Sequence, residues 1–157
     1  MSQEFPDRVA EFLRIANQNN VRMILVGGGA VNFYGYQRRS ADIVFWVETS
    51  LENLRNLLRT LQQMNYSIQE LPKSVIEGEQ NISVKLSPVF ELELLTRFNP
   101  GKSFSDAYAS SQLVDKEGVI YHVISFEDLI SSKISSERMK DKMDIEELQR
   151  IRLKRNE

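Results

Sequence analysis

Apolar residues recur at Val9, Phe12, Leu13 and Ala16, the spacing of one helical face, and Pro6 stands where a helix can begin. This pattern predicts an amphipathic helix near 5–19. Val21 to Val26 predicts a buried strand, and after three glycines Ala30 to Tyr34 predicts a short helix that Gly35 can end in a left-handed conformation. Asp42 to Val47 predicts a second strand. Thr49 followed by Glu52 has the spacing of a capping box, ahead of a helix carrying Leu51, Leu54, Leu58, Leu61 and Met64.

Farther along, Tyr66 to Leu71 and Gln80 to Leu86 read as strands around a loop holding Pro72 and Gly78. In the run Val89 to Leu95 the polarity alternates: Phe90, Leu92 and Leu94 point one way, and Glu91 and Glu93 point the other. Ser103 with Asp106 starts a short helix through Ala109, and 112–115 with 119–124 predicts a hairpin around Glu117-Gly118. Ser125 with Asp128 caps a helix near 126–136, and a last helix covers roughly 139–153. No repeat, low-complexity tract or linker interrupts the chain. The expectation is one α+β domain over 1–157, a mixed sheet flanked by helices, with C-terminal helices from about 126 to 153.

Composition narrows the chemistry. With 157 residues, 41% of them hydrophobic and 27% charged, the chain can bury a core of its own. No apolar run approaches the roughly 20 residues of a membrane span, and the first residues lack the basic start and apolar stretch of a secretion signal, so the reading is cytoplasmic. Zero cysteines exclude thiolate catalysis and thiolate zinc sites, and a single histidine, His122, cannot form a cluster, so a metal would sit on carboxylates. A net charge of -2 argues against strong nonspecific nucleic-acid binding. The basic tail Arg150 to Arg155 reads as a favourable helix C-terminal charge or as a binding patch.

The candidate chemistry lies between residues 24 and 44. An apolar strand enters Gly27-Gly28-Gly29, and a basic loop with Arg38, Arg39 and Ser40 then delivers Asp42 onto the second strand. Glycines let backbone N–H groups approach phosphate oxygens, arginines neutralise charge, and a carboxylate can anchor a divalent cation. Each part has a plainer reading: the glycines as a tight turn, the arginines as solvated charges, Glu91 and Glu93 as the wet face of a strand. Phe33, Tyr34, Tyr36 and Trp46 could stack on a base or serve as core. The spacing is neither that of a P-loop, which needs Lys-Ser/Thr, nor that of a dinucleotide fingerprint.

The segment Val26 to Ile43 resembles the opening motif of small bacterial nucleotidyltransferases of the DNA polymerase β superfamily, in their minimal, toxin–antitoxin-associated form. That motif reads glycine pair, alanine, glycine, arginine, serine or threonine, then Asp-Ile-Asp. Glu91 to Leu95 resembles the later strand that brings a third carboxylate, and Phe104 to Tyr108 the helix after it. The stretches Ile124 to Ile130, Lys133, and Arg138 to Leu148 resemble the family's C-terminal helices. The resemblance implies the polymerase β-like nucleotidyltransferase fold, with a nucleoside triphosphate seated on Gly27 and Gly28. Arg38, Ser40 and Lys133 would be further nucleotide contacts. Asp42 and Glu93 would be the catalytic and metal-ligating carboxylates, and Glu91 a reserve ligand, holding one or two Mg2+ ions.

Where the motif has its second aspartate, this chain has Val44. The middle carboxylate is the one that would bridge two ions, and valine has no lone pair. The implied function is triphosphate and Mg2+ binding, with transfer of a nucleoside monophosphate to a protein, RNA or small-molecule acceptor weak or absent. The alternative is a nucleotide- or partner-binding pseudoenzyme, a toxin–antitoxin component. Val44 reads equally as natural degeneration or as an engineered substitution, and the chain is compatible with a homo-oligomer and with no membrane partner.

Overall fold

The computed structural model describes residues 5–37, 42–88, 90–134 and 138–155, with Asp42 described by its backbone. Strands β1 (Met23–Val26), β2 (Asp42–Val47), β3 (Ile82–Lys85), β4 (Glu91–Leu95), β5 (Gln112–Lys116) and β6 (Val119–Val123) make one sheet in the order β3-β4-β2-β1-β6-β5. The β1–β6 and β2–β4 pairs are parallel. The β1–β2, β3–β4 and β5–β6 pairs are antiparallel, so the sheet is mixed as the sequence predicts. The helices are α1 (Asp7–Gln18), α2 (Gly27–Phe33), α3 (Leu51–Gln63), α4 (Lys73–Ile76), α5 (Phe104–Ser110), α6 (Phe126–Ile134) and α7 (Met139–Arg155). No helix among the described residues is long and apolar enough to cross a membrane.

Side-chain alternation divides the sheet into two unlike faces. Leu25, Phe45, Leu92, Leu94 and Val123 point to the apolar side, all fully buried. There they join a core with Val9, Phe12, Leu13 and Ala16 of α1 and Leu54, Leu57 and Leu61 of α3. Burying one such side chain contributes about 1.5–3 kcal/mol, so this layer carries much of the stability. The opposite side of β4 is wetter: Glu91 is exposed and Glu93 half-buried, in the alternation read from the sequence.

Three local expectations are corrected. Helix α2 begins at Gly27 itself rather than at Ala30, because Val26 is extended and Gly27 turns the chain at once with φ +62°. The cap of α3 is Ser50, not Thr49: its Oγ accepts from the Asn53 N–H at 3.2 Å. Asn53 then works elsewhere, its buried amide accepting from the Arg22 N–H at 2.7 Å and donating to the Arg22 and Glu48 carbonyls. Tyr66 to Leu71 is not a strand. The Tyr66 N–H closes the end of α3 on the Leu61 carbonyl, and its hydroxyl donates to the Lys85 carbonyl, so this segment meets β3 through a side chain instead of a backbone ladder.

Candidate functional site

The floor of the candidate site is set by strand register. Position 42 pairs with Glu91, and Glu91 in turn with Lys85. One step along, Val26 pairs with Val44, Val44 with Glu93, and Glu93 with Ser83. The next row holds Ile24, Trp46 and Leu95. Neighbouring strands lie about 4.8 Å apart, so each row is a short line of side chains on one face. The fold thus brings Glu91 and Glu93 to the strand that Asp42 opens. The side chain of Asp42, and all of Arg38 and Ser40, lie outside the described residues.

The glycine turn meets this floor at Val44. A Cβ placed on Gly27 would stand 3.6 Å from both Cβ and Cγ2 of Val44. Those are ordinary contacts, so an alanine here fits in space and pays only for its backbone. Gly27→Ala is expected to lower stability by about 1–2 kcal/mol through its positive φ, read as a reduced urea midpoint with an unchanged m-value. Gly28 follows in the first turn of α2, and the N-cap residue Val26 supplies no side-chain cap to it.

Glu91 and Glu93 make no ion pair with any described residue. Lys85 is the charged neighbour that sequence reading did not single out. The alternation of Ser83 and Lys85 places both on the acidic face, but only the pairing of β3 with β4 sets Lys85 against Glu91. Among the described residues no three His, Cys, Asp or Glu side chains gather as a metal site.

Trp46 is 6% exposed and walled in by Phe98 and Phe104, with ring centroids 5.3 and 5.0 Å away. It is core rather than an open stacking surface. Tyr34 donates its hydroxyl to the Ile124 carbonyl at 2.6 Å, and burial pushes its pKa well above the usual phenol value. His122 packs on Tyr108 with centroids 4.2 Å apart, and burial followed by the Arg22 charge lowers its pKa, so the ring is neutral at pH 7.

Lys133 lies in α6 with its ammonium buried between two acids of α7. Its Nζ donates to Asp141 Oδ1 and Asp144 Oδ2, both at 2.8 Å. A phosphate reaching this ammonium would have to displace one of those carboxylates.

A family model described as a nucleotidyltransferase of unknown function (DUF6036) matches residues 7–153. No curated protein matches the sequence. Among solved structures, the lincosamide antibiotic adenylyltransferase LnuA, determined with lincomycin bound, is similar with a TM-score of 0.60 and 17% identity, over 96% of this chain and 99% of that one. At that identity the likeness speaks to the fold, which is the nucleotidyltransferase fold that the resemblance implies. With nearly its whole length matched, the chain belongs to the DUF6036 nucleotidyltransferase family.

Proposed function

We propose that the chain binds a nucleoside triphosphate with one Mg2+ ion and transfers the nucleoside monophosphate to a protein, RNA or small-molecule acceptor at a rate held low by Val44. The observation that carries this reading is the register: Glu91 stands against the position of Asp42, and Glu93 against Val44, which itself abuts Gly27. Oxygen donors alone suit magnesium, which often takes only one or two protein carboxylates. The residues therefore fit one ion, held by Asp42 and Glu93 with Glu91 as a reserve, and not a bridged pair. When bound, the ion supplies charge neutralisation to the triphosphate. Gly27 and Gly28 would offer N–H groups to phosphate oxygens, and Arg38 and Ser40 are the further nucleotide contacts of the proposal. Lys133, expected there from the resemblance, is already committed to Asp141 and Asp144 and would join them only by giving up one of these carboxylates.

Trp46, the only tryptophan, lies on the same strand face two residues from Val44, so its fluorescence is the natural readout. Titration with nucleoside triphosphates is expected to give saturable binding with Mg2+ and at least about tenfold weaker binding without it. Glu93→Gln should remove most of that difference. No binding of any triphosphate, or equal binding with and without Mg2+, overturns the proposal.

Val44 also favours a second reading, a nucleotide-binding relative that transfers nothing and acts on a partner. In its toxin–antitoxin form this reading expects a gene for a binding partner beside that of the chain.

A further inference from the structure

The basic tail singled out in the sequence returns to the body of the protein. Arg155, in the last turn of α7, lies over Gly35, its Nη2 2.8 Å from where a Cβ would stand, with Ile151 Cγ2 at 3.4 Å. Gly35 tolerates this approach because it has no side chain and holds φ +106°. A favourable charge at the end of α7 explains why a cation is there, but not why it is seated on the end of α2. Capping of α2 does not explain it either. The Ala30, Val31 and Asn32 carbonyls already accept from the N–H groups of Tyr34, Tyr36 and Gly35. Arg155 forms no hydrogen bond or ion pair with any described residue, and its donors border a cavity of about 350 Å³.

The cavity is walled by Tyr34, Gln112, Ser125, Phe126, Arg152 and Arg155, with Glu127 the single acid on its lining. Arg152 stacks over the Phe126 ring at 4.5 Å and gives one nitrogen to Glu127 at 3.0 Å, leaving the rest of its fork open. The Ser125 hydroxyl accepts from the Asp128 N–H at 3.1 Å and keeps its own proton to donate. Two guanidinium groups, a hydroxyl and the Gln112 amide against one exposed carboxylate make a concave, donor-rich, net positive lining in a chain of net charge -2. Planar forks of this kind match phosphate oxygens bidentately.

We propose that this cavity between α2, α6 and α7 is a second anion site, which takes a phosphate group carried by a ligand other than the triphosphate at the glycine turn. It lies at the far end of α2, about 10 Å from Gly27 at 1.5 Å of rise per residue. The phosphate can come from a free small molecule or from the backbone of a nucleic-acid acceptor, and both present the same oxygens to Arg152 and Arg155.

The test uses the full chain with two probes, inorganic phosphate by calorimetry and a short single-stranded RNA by fluorescence anisotropy, each at low ionic strength. The variant R152Q/R155Q should bind the responding probe about tenfold or more weakly, and R155K, which keeps the charge but loses the fork, should fall between that variant and wild type. MgATP titration followed by Trp46 fluorescence should stay within about twofold of wild type, which separates this site from the proposed triphosphate site. If the source is nucleic acid, RNA responds and the slope of log affinity against log salt falls by about 1.4, at roughly 0.7 for each lost phosphate contact. If the source is a free phosphate, calorimetry alone responds. The proposal is overturned if neither probe binds the wild-type chain or if the double variant binds both as well as wild type. Loss of MgATP binding in that variant also overturns it, because the cavity would then belong to the triphosphate.

Discussion

Val44→Asp is expected to raise nucleotidyl transfer by about 10³-fold, on the ground that a metal ion contributes several kcal/mol of transition-state stabilisation and about 4 kcal/mol corresponds to that factor. Val44 pairs with Glu93 and touches the Cβ position of Gly27, so an aspartate here would add an oxygen donor between the glycine turn and the acidic strand. The substitution should leave the fold intact. Val44 is only half-buried, and exchanging a β-branched residue for aspartate in a strand costs on the order of 1 kcal/mol. The measurement is transfer of label from α-labelled nucleoside triphosphates into protein, RNA and small-molecule fractions of a cell extract, for both proteins in parallel. Val44→Asn, equal in shape but uncharged, should remain near the wild-type rate. Equal rates for wild type and Val44→Asp would mean that the valine does not limit the reaction.

The second large effect concerns stability. Lys133→Ala is expected to destabilise the protein by about 3–5 kcal/mol, because it removes the buried ammonium that two buried carboxylates share. Side-chain exposures of 6% for Lys133, 4% for Asp141 and 2% for Asp144 show how little water could take the lysine's place. Arg138 reaches Asp141 Oδ2 at 2.9 Å but is 72% exposed, so it screens that acid only from the outside. Domains of this size have about 5–15 kcal/mol in total, and such a loss would bring a marginal fold close to unfolding. Urea denaturation followed by circular dichroism reads the change. A triple replacement of Lys133 by Met with Asp141 and Asp144 by Leu should recover most of it, since an apolar substitute for a whole buried ion cluster is often close to neutral. A loss below about 1 kcal/mol in Lys133→Ala would show that the cluster is not what holds α7 to α6.

Local signals in the chain went far toward this architecture. The alternation in Glu91 to Leu95 and the helical period of Val9, Phe12, Leu13 and Ala16 depend only on neighbours a few residues away, and both are realised as read. Tyr66 to Leu71 failed because its strand-like composition found no partner: Tyr66 satisfies the end of α3 and touches β3 with its hydroxyl alone. Thr49 and Ser50 both suit a helix cap, and the choice fell to Ser50 because Asn53 had to reach the Arg22 backbone. Of the candidate site, the residue types were legible, but their company was not. Lys85 beside Glu91 and Arg155 on Gly35 join positions distant in sequence, and no window along the chain carries that information.

The directions of the strands sort the molecule's duties onto two rims. The ends of β1 and β6 and the beginnings of β2 and β4 lie on one rim with Gly27, Asp42 and Glu91. The opposite rim carries the Arg22–Asn53–Glu48 clasp that fastens the sheet to α3. A chain built this way can lose or regain a single reactive group on one rim while the clasp on the other goes on holding its scaffold together.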